Sequence, residues 1–379
     1  MGATRTLVAV VGTRPNLVKM APILRALERL RTAGGTDLRP LLVHTGQHYD
    51  AELSANVFAD LRLPPPDHLL GVGSGSHASV TAEIMRRLEP VLVAERPAMV
   101  LVVGDVNSTL AAALTAAKLE VPVAHVEAGL RSFDRSMPEE VNRVVTDALS
   151  ELLFTSEAAA DANLLREGFA AERVHFVGNV MIDSLLWALP IAESSTVGAR
   201  LGLAPGQAFA LLTVHRPGNV DADAPFTAIL GAAAELARQL PVILPAHPRT
   251  RARIAALGLA DLMREPGEAP PGRILLTEPL AYLDFVHLLA RARLVLTDSG
   301  GLQDETTALG VPCLTLRNNT ERSVTVSAGT SVLVGRDRAR ILANARAALA
   351  AGPPAERPRP PLWDGHTAER IVRLLAARP

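Results

Sequence analysis

The feature that most constrains the fold is a regular alternation of short apolar runs with longer segments of helical periodicity. Short β-branched runs, such as TLVAVVG at 6–12 and AMVLVVGD at 98–105, are separated by segments such as STLAAALTAAKLE at 108–120. In those longer segments the apolar residues recur every three or four positions, which is typical of a helix with one buried face. The alternation therefore predicts an α/β chain built on parallel sheets.

The alternation occurs twice along the 379 residues. It weakens over 190–207, where prolines, glycines and polar residues accumulate, and it resumes with runs such as FALLTVH at 209–215. A chain of this length exceeds the size at which a single hydrophobic core usually stops growing. We therefore expect two similar α/β halves, followed by a proline-rich linker at 350–361 and a final short helix.

Composition and charge exclude several functional classes. The formal net charge is -1 and the charged residues are spread along the chain, so we expect no nucleic-acid or membrane-surface partner. Cys313 is the single cysteine, which excludes an internal disulfide and a cysteine-based zinc site and predicts a small core residue. No apolar stretch approaches a membrane span and no signal-peptide layout is recognisable, so we expect a cytoplasmic protein.

Polar residues follow the predicted strands at the points where the apolar runs stop. Ligands bind at the carboxyl ends of the strands in open parallel sheets, so these residues are candidates for a site. In TDSGG at 297–301, Ser299, Gly300 and Gly301 lie at a predicted helix start. The free N–H groups and the dipole of a helix start favour a phosphate there. A plain βα turn would use the same glycines.

Several stretches together resemble the non-hydrolysing UDP-N-acetylglucosamine 2-epimerases. They match in order and spacing from about residue 7 to about residue 335, and they are VGTRPNLVKMAPIL, TGQHYD, GDVNSTLAAALTA, VPVAHVEAGLRSFDRSMPEEVNRVVTD, VGNVMIDSL, HRPGNVD and LTDSGGLQDETTALGVPCLTLR. The resemblance implies a glycosyltransferase-B-like fold, in which two Rossmann-like domains, 1–176 and 177–361, face each other across a cleft. It further implies that a C-terminal helix at 362–379 crosses back to the first domain, that the protein is a homodimer, and that it interconverts UDP-GlcNAc and UDP-ManNAc.

The chemistry of this reaction sets requirements on the site. No carbonyl acidifies the C2 proton of the sugar, so its direct removal would need a base stronger than any side chain. Loss of UDP from C1 with the C2 proton gives 2-acetamidoglucal, and re-addition from the other face gives the epimer. Such a site needs carboxylates at the sugar and cations or N–H dipoles at the diphosphate, but no metal or other cofactor.

Other functions remain open on the sequence alone. A hydrolysing relative would release UDP and free ManNAc after the same elimination step. A glycosyltransferase would share the architecture, although it has no need of the carboxylates in HVEAGLR and MPEE. A non-catalytic nucleotide-sugar sensor would keep those carboxylates at an electrostatic cost.

The resemblance implies acid/base roles for Asp105, Glu127 and Glu139. The apolar pattern predicts that Asp105 and Glu127 lie just past strand ends. Asp105 has an alternative role as a helix N-cap, whereas a carboxylate directly after VPVAHV is costly to bury unless it is paired or functional. Of the adjacent glutamates only Glu139 matches the family, and Glu140 has an alternative role as a partner of Arg143.

The resemblance assigns UDP binding mainly to the second half. His215 matches a nucleotide-contacting histidine that assists UDP departure; the alternative is a hydrogen-bonded histidine at a strand end. The other implied UDP- and sugar-binding residues are Arg14, Lys19, Phe285, Ser299, Gly300, Gly301, Glu305 and Arg317. Phe285 is expected against uracil, Glu305 on the ribose hydroxyls and Arg14 over the phosphates, while Lys19 either supports Arg14 or is a solvated helix residue.

The chain departs from the family pattern at several positions. Leu280 stands where many members carry glutamine, and Asn318 and Ser323 replace an acidic residue and a proline, which leaves the sugar specificity open. TGQHYD and HRPGN also differ from the patterns of members that a second UDP-GlcNAc molecule activates. Allosteric activation is therefore left open as well.

Overall fold

A computed structural model describes residues 4–46, 57–267, 272–352 and 354–378. Residues 47–50, the end of the TGQHYD stretch, lie outside the described residues. The chain divides into two compact units, a first unit of Met1–Ser184 with Pro361–Pro379 and a second unit of Leu185–Pro360. The division falls within the helix Val180–Ala192.

The first unit is built on a seven-stranded parallel sheet with the order β3-β2-β1-β4-β5-β6-β7. Its strands are β1 (Arg5–Val11), β2 (Leu38–His44), β3 (His68–Leu69), β4 (Met99–Val103), β5 (Val123–Ala128), β6 (Leu152–Thr155) and β7 (Val174–Phe176). All five residues of β4 are buried, as expected for a parallel strand covered on both faces. The strand order reverses between β1 and β4, which makes the carboxyl ends of these strands the place where ligands bind in such sheets.

Helices connect the strands of the first unit, because a parallel neighbour can be reached only by a crossover. They include Arg14–Thr32, His77–Glu95, Asn107–Lys118, Pro138–Leu149 and Ala158–Arg166. The C-terminal helix Thr367–Ala376 also belongs to this unit, as expected, and packs against Arg14–Thr32. Trp363 anchors the approach to it by donating from Nε1 to the carbonyl of Ser156 at 3.0 Å.

The second unit repeats the architecture with the order β10-β11-β9-β8-β12-β13-β14, again all parallel. Its strands are β8 (Ala210–Thr213), β9 (Val242–Pro245), β10 (Met263–Arg264), β11 (Ile274–Thr277), β12 (Leu294–Thr297), β13 (Cys313–Thr315) and β14 (Ser331–Leu333). Its helices include Val197–Arg200, Pro217–Val220, Asp223–Leu236, Pro248–Ala256, Tyr282–Leu289, Gly300–Leu309, Ser323–Ser327 and Arg338–Ala351. The order reverses between β8 and β12, so the segments after these two strands meet at the switch point.

The predicted fold class is confirmed, because both units are α/β with a Rossmann-like parallel sheet. Cys313 lies in β13 as a buried free thiol, as expected for a small core residue. Among the helices of the described ranges, none has the length and apolar character that crossing a membrane requires.

Candidate active-site residues in each unit

Lys19 and Glu127 form a buried ion pair in the first unit. Nζ of Lys19 contacts Oε2 of Glu127, and the two side chains retain 8% and 5% of their exposure. Gly104, just after β4, leaves room for the pair, since a Cβ there would lie 3.3 Å from both atoms. The alternative of a solvated Lys19 is wrong, because the ammonium is buried against a carboxylate that compensates its charge.

Glu127 lies inside β5. The prediction that it lies just past the end of the strand is therefore wrong, and a bulge in the strand accounts for the difference. The φ of Glu127 is +74°, and the register between β5 and β6 shifts between Val126 and Ala128. A bulge bends a strand and re-aims a side chain. The left-handed conformation is costly for a residue other than glycine, and it persists only where the surroundings enforce it.

Arg143 holds the Asp105 carboxylate. Its Nε and Nη2 atoms lie 3.0 and 2.9 Å from Oδ2 of Asp105, and its Nη1 contacts Glu140. The Arg143 side chain is 2% exposed, whereas Asp105 retains 25%. The N-cap of the helix Asn107–Lys118 is Val106, so the alternative that Asp105 caps this helix is wrong.

The adjacent residues Glu139 and Glu140 have different surroundings. Glu140 is buried and accepts hydrogen bonds of 2.9 Å from the N–H and hydroxyl of Ser132 and from the N–H of Phe133. Its expected pairing with Arg143 is confirmed. Glu139 is half-buried, and its carboxylate forms no hydrogen bond or ion pair with any described residue. Glu140 therefore stabilises the loop before the helix, and Glu139 is the glutamate available to a ligand.

A second buried charge network supports the Gly104 turn. His125 bridges Oδ1 of Asp147 at 2.7 Å and the carbonyl of Gly104 at 2.8 Å, and Arg131 pairs with Asp147 at 2.7 Å. Burial would raise the pKa of Asp147, but the hydrogen bonds and charges of His125 and Arg131 outweigh it and lower that pKa. The network fixes the main chain next to Asp105.

In the second unit, Asp298 joins the segments that follow β8 and β12. Its fully buried carboxylate accepts from the N–H groups of His215 and Arg216 and from Nδ2 of Asn219, and it lies 2.9 Å from Nδ1 of His215. The His215 side chain is 52% exposed. The switch point thus brings His215 next to the residue that precedes Ser299.

The Ser-Gly-Gly stretch starts a helix, as predicted. Ser299 is the N-cap of Gly300–Leu309, and its hydroxyl accepts from the N–H of Leu302 at 3.5 Å. Gly300 and Gly301 open the first turn, where the N–H groups have no partner within the helix. A Cβ on Gly300 would lie 2.7 Å from Oε1 of Glu321, so any other residue there would force the Glu321 carboxylate to shift.

Arg317 lies beside the same helix start. Its Nη2 is 2.7 Å from Oε2 of Glu321, and Nη2 of Arg216 lies 3.8 Å from Oε1 of the same carboxylate. Arg317 and Glu321 are buried. Two arginines are therefore gathered near the first turn at Gly300, where they would favour an anion.

The remaining predicted binding residues occupy separate elements. Glu305 is buried on the helix Gly300–Leu309, one turn after its start. Phe285 is half-buried on Tyr282–Leu289, and no ring contact links it to another predicted residue in the described ranges. Arg14 is the first residue of Arg14–Thr32 and is half-buried. Within the described residues, no group of three or more His, Cys, Asp or Glu side chains is placed to hold a metal ion.

Comparisons with known proteins decide the family. The family model described as UDP-N-acetylglucosamine 2-epimerase matches residues 31–376. The chain belongs to the UDP-N-acetylglucosamine 2-epimerase family. It is 40% identical over 370 residues to the UDP-N-acetylglucosamine 2-epimerase of Methanocaldococcus jannaschii, covering 97% of each chain. A crystal structure of the M. jannaschii UDP-GlcNAc 2-epimerase with UDP-GlcNAc and UDP matches at a TM-score of 0.87 and 40% identity, covering 98% of this chain and 99% of that one.

Another similar protein is named for a different nucleotide sugar. The UDP-2,3-diacetamido-2,3-dideoxy-D-glucuronate 2-epimerase of Pseudomonas aeruginosa is 41% identical over 346 residues, which is 90% of this chain and 92% of the relative. The resemblance to the 2-epimerases is therefore confirmed, together with the glycosyltransferase-B-like fold of that family. The two relatives, which are named for different sugars, are about equally similar to this chain at 40% and 41% identity.

Proposed function

We propose that this protein interconverts UDP-GlcNAc and UDP-ManNAc, with the nucleotide returned to the sugar rather than lost to water. The observation that carries the proposal is the pair of carboxylates at the carboxyl end of the first sheet, each set against a buried cation: Glu127 with Lys19 and Asp105 with Arg143. Membership in the 2-epimerase family supports the same reaction.

The first unit supplies the groups that move protons. Asp105 and Glu127 are held in place by their cations, and Glu139 is half-buried on the neighbouring helix start. Anti-elimination removes the C2 proton to a carboxylate as the C1–O bond breaks, which forms 2-acetamidoglucal and UDP. Return of a proton to the other face of C2, with re-addition of UDP to C1, completes the epimerisation.

The second unit supplies the diphosphate site. We assign the charge that develops on UDP as it leaves to the first-turn N–H groups of Gly300 and Gly301, to Arg317 and to the exposed ring of His215. Glu305 is assigned to the ribose hydroxyls, Phe285 to uracil and Arg14 to the phosphates. No metal or other cofactor is required by this chemistry.

A second candidate substrate is UDP-2,3-diacetamido-2,3-dideoxy-D-glucuronate, because the P. aeruginosa relative at 41% identity is named for it. The purified protein is therefore incubated with each nucleotide sugar and the products are followed by NMR. We expect UDP-ManNAc from UDP-GlcNAc, with no accumulation of free ManNAc. Free ManNAc and UDP as the main products would instead identify a hydrolysing enzyme, and turnover of the uronate alone would identify the second substrate.

We further propose that the protein is a cytoplasmic homodimer. Val141 and Val145 are four residues apart on the helix Pro138–Leu149 and are 45% and 36% exposed, so they present one apolar face. A second copy of the chain would cover this face. Sedimentation equilibrium is expected to give a dimer mass for the wild type and a lower mass for Val141→Asp; a monomeric wild type would contradict the proposal.

A further inference from the structure

Asp298 gathers its hydrogen-bond donors from the segment that follows β8. Its oxygens lie 3.2 and 3.1 Å from the main-chain nitrogen of His215, 3.0 Å from that of Arg216 and 3.0 Å from Nδ2 of Asn219. The ring of His215 adds a further contact, with Nδ1 2.9 Å from Oδ1. Two of the donors belong to His215 itself, so one buried carboxylate fixes both the backbone and the ring of that residue.

The contact also determines where the ring carries its proton. Burial would raise the pKa of Asp298, but the hydrogen bond and charge of His215, the N–H of Arg216 and the amide of Asn219 outweigh it and lower that pKa. An ionised carboxylate only accepts hydrogen bonds, so Nδ1 of His215 has to carry a hydrogen. The other ring nitrogen, Nε2, forms no hydrogen bond to a described residue, and the side chain is 52% exposed.

We propose that Asp298 is a positioning residue, which holds His215 in the Nδ1–H state and leaves Nε2 to face the diphosphate of the departing UDP. Asp298 is fully buried and acts through the histidine, as a buried acid does when it orients an imidazole and balances its charge. Only the role at the diphosphate rests on the proposed function. The state of the ring is a property of the protein without substrate.

The first test therefore determines which ring nitrogen of His215 carries a hydrogen. Protein labelled with ¹⁵N-histidine is examined by long-range ¹H–¹⁵N NMR, and the His215 signals are identified by their loss in His215→Asn. We expect Nδ1 to carry a hydrogen in the wild type. Asn at position 298 presents an amide that donates to Nδ1, so Asp298→Asn is expected to move the hydrogen to Nε2. A wild-type ring with its only hydrogen on Nε2, or a ring state unchanged in Asp298→Asn, would overturn the proposal whether or not the protein is an epimerase.

The second test measures the consequence for turnover. Asp298→Asn is expected to lower kcat by about 10-fold or more with a smaller change in KM, and to cause no further loss in the His215→Asn background, since both changes remove one function. Asp183→Asn is the matched control: Asp183 is buried in the first unit and accepts from the N–H groups of Thr367 and Ala368 at 3.2 and 2.7 Å. Its kcat is expected to stay at the wild-type value. Additive losses in the double variant would show that Asp298 acts independently of His215. An equal loss in Asp183→Asn would show that the loss of a buried aspartate lowers kcat in general, and either result would overturn the proposal.

Discussion

Lys19 and Glu127 are 108 residues apart and bury opposite charges against each other at the carboxyl end of the first sheet. An isolated ammonium or carboxylate at these positions would lose its hydration without compensation. The pair is therefore a structural requirement, and in the proposed reaction the same cation orients the carboxylate to which we assign proton transfer.

Removal of the Lys19 charge is expected to be strongly destabilising. Lys19→Met leaves Glu127 buried without its cation, which should lower the free energy of unfolding by about 3–5 kcal/mol. Lys118→Met is the matched control, because Lys118 is exposed at the end of the helix Asn107–Lys118 and its loss should change stability by less than about 0.5 kcal/mol. Urea unfolding measures both. Equal unfolding midpoints for the two variants would show that the buried pair contributes nothing.

Substitution of Glu139 is expected to lower kcat, whereas substitution of Glu140 is expected to lower stability. Glu139→Gln should lower kcat by roughly 10²-fold or more, as expected for loss of a proton-transfer group, and leave the melting temperature near that of the wild type. Glu140→Gln removes the charge that Arg143 contacts and weakens three further hydrogen bonds, so it should cost about 1–3 kcal/mol of stability. Steady-state kinetics and calorimetry on both variants separate the two effects. A large loss of kcat in Glu140→Gln without loss of stability would reverse the assignment.

A side chain at Gly300, the start of the helix Gly300–Leu309, is expected to weaken UDP binding. In Gly300→Ala the new Cβ would lie 2.7 Å from Oε1 of Glu321, and the forced shift should weaken UDP binding by roughly 10-fold, or about 1.4 kcal/mol. Gly198, in the helix Val197–Arg200, has no atom within 4 Å of a Cβ position. Gly198→Ala should therefore bind UDP as the wild type does. Titration calorimetry with UDP compares the two, and unchanged affinity in Gly300→Ala would remove the phosphate assignment.

Buried Asp147 and half-buried Asp161 are expected to give opposite pH dependences of stability. The pKa of Asp147 is lowered, so its contribution is present above the unfolded value of about 4 and is lost as the pH falls through the folded value. Burial raises the pKa of Asp161, although a hydrogen bond from Thr155 opposes the rise, so its contribution is full below about pH 4 and is lost as the pH rises through the folded value.

Melting temperatures between pH 3 and pH 7 test this pair. The stability deficit of Asp147→Asn should be largest at pH 7 and shrink as the pH falls below about 4. The stability of Asp161→Asn relative to the wild type should instead improve as the pH rises from about 4 towards 7. The same direction of change in both variants would contradict the opposite signs of the two pKa shifts.

The sequence predicted the positions of the candidate residues best where an apolar strand simply ends. Asp105 and the helix start at Gly300 follow buried strands, because a parallel strand covered on both faces is apolar and polar residues appear only beyond it. Glu127 differs, since the bulge at 126–128 brings the carboxylate inside β5. From the sequence VEA alone, the bulged end of a strand looks the same as the first residues of a loop.

The partners of these residues could not be predicted. Arg143 and Asp105 are 38 residues apart, and His215 and Asp298 are 83 apart. Their pairing depends on how separate βα units assemble at a switch point, which hydrophobic periodicity does not encode. Asp298 is part of the TDSGG stretch, in which the predicted phosphate site rests on Ser299 and the two glycines. The one sequence signal for Asp298 is an acidic residue directly after an apolar strand, a position that is costly unless the charge is paired.

The most direct test of the central claim is turnover of UDP-GlcNAc in D2O, followed by NMR of the nucleotide sugars. Elimination removes the C2 proton to a side chain that exchanges with solvent, so the UDP-ManNAc formed should carry deuterium at C2. Small amounts of UDP and 2-acetamidoglucal should accompany it, because the intermediates are held only by non-covalent contacts. UDP-ManNAc that fully retains protium at C2 would contradict the elimination mechanism, and the absence of UDP-ManNAc would contradict the proposed activity itself.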